Sequence, residues 1–182
     1  MSHPTRDLVL MGLFAAVMAA LGLMPKITLG FGVPITAQSM GVMLAGCILG
    51  ARRGAGAMAI FVLLVLLGLP LLAGGRGGLG ILAGPTGGFL LGFVLGAWIT
   101  GLLAERLPVR PPVPRFLIAS VVGGIGGLYL PGVPYWALIT DTSIAQVLLL
   151  SAGFLPGDLL KAVAAALVAA AVQRGYPVLQ RA

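Results

Sequence analysis

Asp158 and Lys161 stand three residues apart in "FLPGDLLKAVAAALVAAA", a stretch otherwise dominated by Leu, Val and Ala. That spacing puts both side chains on one face of a helix. One is a carboxylate that only accepts hydrogen bonds, the other an ammonium with three donors. Together they can neutralise each other and hold two helices, or offer donor and acceptor to a polar ligand. If the helix crosses a bilayer, each ion costs about 2.5–3.5 kcal/mol on insertion scales, and an ion kept at that cost points to function.

A few other polar groups stand out from the apolar background. Arg76 lies in "GGRGGLG", within the longer loop "GLPLLAGGRGGLGILAGPTGGFLLGF", where glycine lets backbone approach a ligand closely. Gly84-Pro85-Thr86-Gly87-Gly88 then opens a helix whose free N–H groups can hold an anion. A flexible connection accounts for the same glycines. Lys26, Asp141, Tyr129, Tyr135 and Trp136 complete the set, and the aromatic residues also fit membrane-interface anchors. The only histidine is His3, so neither a clustered metal site nor a Ser–His or Cys–His nucleophile can be assembled from histidine. No Gly-Lys dipeptide occurs, which excludes a phosphate-binding P-loop. The chain is expected not to be an enzyme, and any use of ATP requires another polypeptide.

The elements that position these groups follow from composition. The chain has 182 residues, 59% hydrophobic and 8% charged, against about 25% charged in a soluble domain. That much apolar surface belongs in a bilayer. At about 20 residues per crossing there is room for five or six helices in a single domain over residues 1–182. Six apolar segments are predicted: Leu8–Met24, Ile35–Ala51, Gly54–Leu72, Leu82–Ala104, Phe116–Leu130 and Leu155–Val172. The second and fifth are short and Gly-rich. Ser143–Ala152 is too short to span and is expected as a helix dipping into the outer surface. The first apolar run also resembles a signal peptide, but the equally apolar remainder favours a spanning helix. Cys47, inside "MGVMLAGCIL", reads as a small core residue.

The net charge of +7 arises from topology. With six crossings, Arg6, Arg52, Arg53, Arg106, Arg110, Arg115, Arg174 and Arg181 share one side, and only Lys26 and Arg76 the other. The positive-inside rule makes the first side cytoplasmic, with both termini on it, and removes the case for nucleic acid. Small residues recur every fourth position at Gly12/Ala16/Ala20, Gly46/Gly50/Gly54 and Gly88/Gly92/Gly96, a pattern that lets helices pack closely.

"RGGLGILAGPTGGFLLGF", "FLPGDLLKAVAAALVAA" and "VPITAQSMGVMLAG" closely resemble the BioY family of biotin transporters, the substrate-binding S components of prokaryotic energy-coupling factor (ECF) vitamin importers. The resemblance covers the whole chain in length and helix count. It implies an all-α membrane protein, a six-transmembrane-helix bundle with an outward-facing substrate cavity, in the plasma membrane. It further implies biotin as transported substrate, no cofactor, and partnership with a transmembrane T component and two ATPase subunits. The T component would dock on an Ala-x-x-x-Ala pattern in the first helix, which both Ala15/Ala19 and Ala16/Ala20 fit. On this reading Asp158 can accept from a ureido N–H and Lys161 can donate to a carbonyl or carboxylate oxygen. Arg76 suits a bidentate carboxylate contact, and Tyr129, Tyr135 and Trp136 can cover the apolar bicycle. An S component for another small vitamin and a non-transporting membrane scaffold are the competing readings.

Overall fold

The computed structural model describes residues 4–28, 34–176 and 178; His3, Val33 and Arg181 lie outside them. The chain runs through α1 (Pro4–Gly22), a two-stranded antiparallel hairpin of β1 (Ile27–Thr28) and β2 (Pro34–Ile35), α2 (Gln38–Leu49) and α3 (Ala51–Leu66). A 3-10 turn (Leu79–Ala83) leads into α4 (Gly87–Arg106). Then come α5 (Pro112–Ile139), α6 (Ile144–Ala152) and α7 (Leu155–Gly175). Of these, α1, α4, α5 and α7 are long and apolar enough to cross a membrane. Leu8, Leu13, Leu130, Leu149 and Leu160 are among many large apolar side chains left exposed on the outside of the bundle, as lipid solvation allows.

The second segment is shorter than the sequence predicts. α2 has 12 residues, about 18 Å of helix. Its importance comes from position: ten of the 12 are buried, and α2 packs against α1, α3, α4, α5 and α7. Cys47 is fully buried within it. Close approach needs small side chains, and a Cβ on Gly46 would lie 2.6 Å from the Thr100 side chain on α4. On α4, Gly88, Gly92 and Gly96 all face α5, where added Cβ atoms would meet Pro131, Leu128 and their backbones. The small-residue stripes inside the bundle are packing surfaces.

The fifth segment departs from expectation in the other direction. Instead of a short span ending near Leu130, α5 is a 28-residue rod that continues through Pro131 and Pro134 to Ile139. A bundle tolerates internal prolines where neighbours and local backbone adjustments satisfy the freed groups. Three of its glycines, Gly123, Gly124 and Gly126, fall in a π-helical stretch at Ser120–Gly126. The short α6 begins one residue inside the predicted Ser143–Ala152, with the Ser143 hydroxyl capping it by accepting from the Gln146 N–H at 3.3 Å.

The two ends of the bundle differ in charge. At one end Asp7 pairs with Arg53 at 2.8 Å. There the Ala51 N–H donates to Glu105 Oε1 at 2.9 Å, and Gln173 donates to the Ile48 carbonyl at 3.0 Å. Arg6 reaches Tyr176 beside them. Arg52, Arg106, Arg110, Arg115 and Arg174 belong to this end, as the charge pattern predicts. Lys26 and Arg76 are at the other, where Gly74 lies against the Lys26 ammonium.

The turn between α2 and α3 is a single residue, Gly50, at φ 84 and ψ −177. Side-chain-bearing residues are essentially absent from that region of backbone space. Gly50→Ala should therefore cost about 1–3 kcal/mol, read as a lower thermal midpoint of the detergent-solubilised protein. An unchanged midpoint would show that the turn can take another conformation.

Candidate functional site

At the end carrying Lys26 and Arg76, a cavity of about 660 Å³, its open mouth included, lies between α2, α4, α5, α7 and the loop after α3. Asp158, in the first turn of α7, supplies the polar centre and is 7% exposed. Pro156 and Gly157 precede it in that turn, where a proline's missing N–H costs nothing.

Lys161 donates to Asp158 Oδ1 at 2.9 Å and to Ser39 Oγ at 3.0 Å, and the Ser39 hydroxyl donates to Oδ1 at 3.2 Å. The Tyr129 hydroxyl donates to Asp158 Oδ2 at 2.9 Å. A second acceptor, the Ser151 carbonyl, is more distant at 3.4 Å, so the one phenolic proton goes to the carboxylate. α2, α5 and α7 thus meet at one carboxylate. Such multiple hydrogen bonding is what lets an ion pair persist away from water. Lys161 retains an N–H and Asp158 a lone pair beyond these bonds.

Arg76 lines the same cavity from the loop. The loop is ordered through Gln38, a 2%-exposed side chain. Its amide nitrogen donates to the carbonyls of Met18 at 3.2 Å and Leu71 at 3.0 Å, and its oxygen accepts from the Ala73 N–H at 3.2 Å. Leu72 and Arg76 exchange backbone hydrogen bonds around Gly74 and Gly75, both at positive φ. This closed turn fixes Arg76 more firmly than a flexible connection would. Arg76 Nε donates to the Ala73 carbonyl at 3.4 Å, which leaves the terminal nitrogens for another acceptor.

The remaining wall is apolar: Phe89, Leu90 and Phe93 on α4, Leu128 on α5, and Phe154 before α7. Thr86, just before α4, also lines the cavity, and its hydroxyl makes no cap bond.

Of the six side chains singled out from the sequence, Arg76, Tyr129, Asp158 and Lys161 line this cavity. Trp136 stands one layer behind, buried against Phe89 and Phe154 with ring centroids 6.5 and 6.4 Å away. Tyr135 donates to the Leu82 carbonyl and packs on Gly87 and Gly88, so it braces the start of α4. Lys26 and Asp141 are exposed outside the lining. Sequence reasoning passed over Ser39 and Gln38, although "TAQS" is a polar run opening an otherwise apolar helix. It also passed over Phe89, Phe93 and Phe154, which carry no polar signal. In α1, Ala15 and Ala19 turn toward the bundle, whereas Ala16 and Ala20 are exposed together with Gly12.

Fold and cavity together define a bundle of apolar, membrane-type helices with an open cavity that is polar on one side and apolar on the other. The chain belongs to the BioY family, whose family model matches residues 1–178. The biotin transporter BioY of Rhizobium etli is 53% identical over 181 residues, covering 96% of this chain and 97% of the relative. That of Rhodobacter capsulatus is 46% identical, covering 94% and 95%. A crystal structure of the S-component for biotin from an ECF-type ABC transporter superposes with a TM-score of 0.89 at 27% identity, over 96% of this chain and 95% of that one.

The cavity depends on Gln38 for its loop wall. Gln38→Ala removes the acceptor of the Ala73 N–H and two donors, and each bond is worth about 0.5–1.5 kcal/mol net. Amide hydrogen exchange should accelerate at Leu71–Arg76 by roughly tenfold or more while the α2 amides stay protected. Unchanged exchange in the loop would remove Gln38 as its anchor.

Proposed function

We propose that this protein is the biotin-binding S component of an ECF-type importer, capturing biotin from outside the cell for import. The observation that carries the reading is the cavity itself, with a hydrogen-bonded Asp158–Lys161–Ser39–Tyr129 cluster on one side and phenylalanines on the other. Family membership and the likeness to a biotin S-component support it. Biotin joins a ureido ring, with two N–H donors and a carbonyl, to an apolar bicycle and a carboxylate tail. Asp158 accepts a ureido N–H, and Lys161 donates to the carbonyl. Arg76, half-buried on the loop, takes the tail carboxylate with its free nitrogens. Phe89, Phe93 and Phe154 cover the bicycle. Tyr129 holds Asp158 and closes the wall; Trp136 and Tyr135 keep that wall and the start of α4 in place.

The chain is read as crossing the inner membrane six times, through α1, α2, α3, α4, α5 and α7, with both termini cytoplasmic and the cavity facing outward. The segregation of Arg6, Arg52, Arg53, Arg106, Arg110, Arg115 and Arg174 to the opposite end supports that orientation. α1 docks on a transmembrane T component that couples to two ATPase subunits. The exposed Gly12/Ala16/Ala20 stripe is the docking face, because Ala15 and Ala19 are engaged within the bundle.

Labelled-biotin binding to the purified protein tests the reading, with other vitamins as competitors. Asp158→Asn should weaken binding by about 1.5–3 kcal/mol, the value of a hydrogen bond to a charged group. Lys161→Met should act similarly by stranding Asp158 without its counter-charge. A well-folded double variant with normal biotin affinity would assign the pair to packing, and saturable binding of another vitamin alone would reassign the substrate. Separately, Ala16→Trp with Ala20→Trp should abolish co-purification with the T component while biotin affinity is retained. Intact assembly would move the docking face elsewhere.

A further inference from the structure

A second pocket lies at the opposite, arginine-rich end of the bundle, between the start of α5 and the end of α7. Arg110, Arg115, Gln173 and Arg174 line it, with Val109 and Ala170 as apolar floor. It is a recess open to solvent. Three guanidinium groups face one space, and among the described residues no carboxylate forms an ion pair with any of them. The chain has four acidic residues. Asp7 is paired with Arg53, and Glu105 accepts from the Ala51 N–H. Asp158 is held in the cavity at the other end, and Asp141 lies beyond α5 on that same far side.

The three arginines are not equivalent. Arg110 and Arg174 are exposed at the rim. Arg115 is partly buried, its guanidinium carbon 4.9 Å from the centre of the Phe116 ring. Its Nε is enclosed and meets no acceptor among the described residues. A buried donor without an acceptor is uncommon in folded proteins and is expected to find one in a ligand, ion or water. Guanidinium forks match phosphate oxygens in geometry and charge. A basic pocket between membrane helices is also the usual receptor for an anionic lipid headgroup.

We infer that Arg110, Arg115 and Arg174 form a phosphate-binding site, separate from the solute cavity, that takes the headgroup of an anionic phospholipid or a free phosphate. Arg115 is the fixed inner ligand, while Arg110 and Arg174 close over the anion from the rim. The apolar floor between α5 and α7 admits the upper part of an acyl chain. An anion held there bridges two helices that have no salt bridge joining them among the described residues.

The test uses the full-length protein in phosphatidylcholine nanodiscs, titrated either with phosphatidylglycerol or with inorganic phosphate. Thermal midpoint is one readout and retained lipid in native mass spectrometry the other. Each arginine near a surface phosphate is worth roughly a fivefold change in affinity. Arg110→Gln with Arg174→Gln should therefore lower affinity about 25-fold, and adding Arg115→Gln about 100-fold. The control pair Arg52→Gln with Arg106→Gln removes the same charge from exposed positions outside the pocket and should change affinity less than about threefold. Protection by inorganic phosphate identifies a free anion as ligand, and protection by phosphatidylglycerol alone identifies the headgroup. Saturable protection by neither overturns the site. So does equal loss in the two double variants, which would mean a diffuse surface field. If the triple variant does not fold, the two double variants, which alter only exposed side chains, still decide between these outcomes.

Discussion

The carboxylate of Asp158 is the fixed point around which the site end of the bundle is arranged. A carboxylate shielded from water among apolar helices is costly unless it is paired and hydrogen-bonded. This one remains acceptable because an ammonium and two hydroxyls reach it from three helices. Each of those donors constrains an element: Ser39 the entry of α2, Tyr129 the azimuth of α5, Lys161 the face of α7. The polar centre is thus a positional lock. The apolar residues only have to fill the space that remains.

That lock requires helices to approach more closely than Leu-rich surfaces allow. α2 meets the demand by being short and central, with glycine at 41 and 46 where Met18 and Thr100 press on it. α4 meets it with a glycine row against α5. Because lipid is as apolar as leucine, burial alone gives little preference for one helix arrangement over another. Shape at these glycines and hydrogen bonds at the polar centre supply the preference instead. Gln38 links the two levels, since it starts the central helix and also fastens the loop that carries Arg76.

Much of this was legible in the residues themselves. Charges are rare enough in this chain that Asp158, Lys161 and Arg76 announced their cavity without any structure. The arginine distribution likewise sorted the two ends. The phenylalanines did not announce themselves, because an apolar residue facing a cavity and one facing lipid look alike in a helix apolar on every side. Trp136 and Tyr135 stayed ambiguous for a related reason: an aromatic group with a polar handle fits a binding wall, an interface or a brace equally well. The extent of α5 was hidden by Pro131 and Pro134, which end helices in water yet are carried through in a bundle. Which alanine pair of α1 faces outward depended on the azimuth of one rod, and a pattern of small residues on adjacent faces leaves that open.

The π-helical stretch at Ser120–Gly126 has a consequence for how the family can vary in length. Elsewhere in α5, one residue gained or lost turns everything beyond it by about 100°, and Tyr129 would swing away from Asp158. Within a π turn an extra residue is already accommodated without rotating the distal half of the rod. Loss of one residue there would relax the backbone to ordinary α geometry and leave the phase of Tyr129 nearly as it was. The stretch is an expansion joint: the one place along this rod where chain length and side-chain direction are uncoupled.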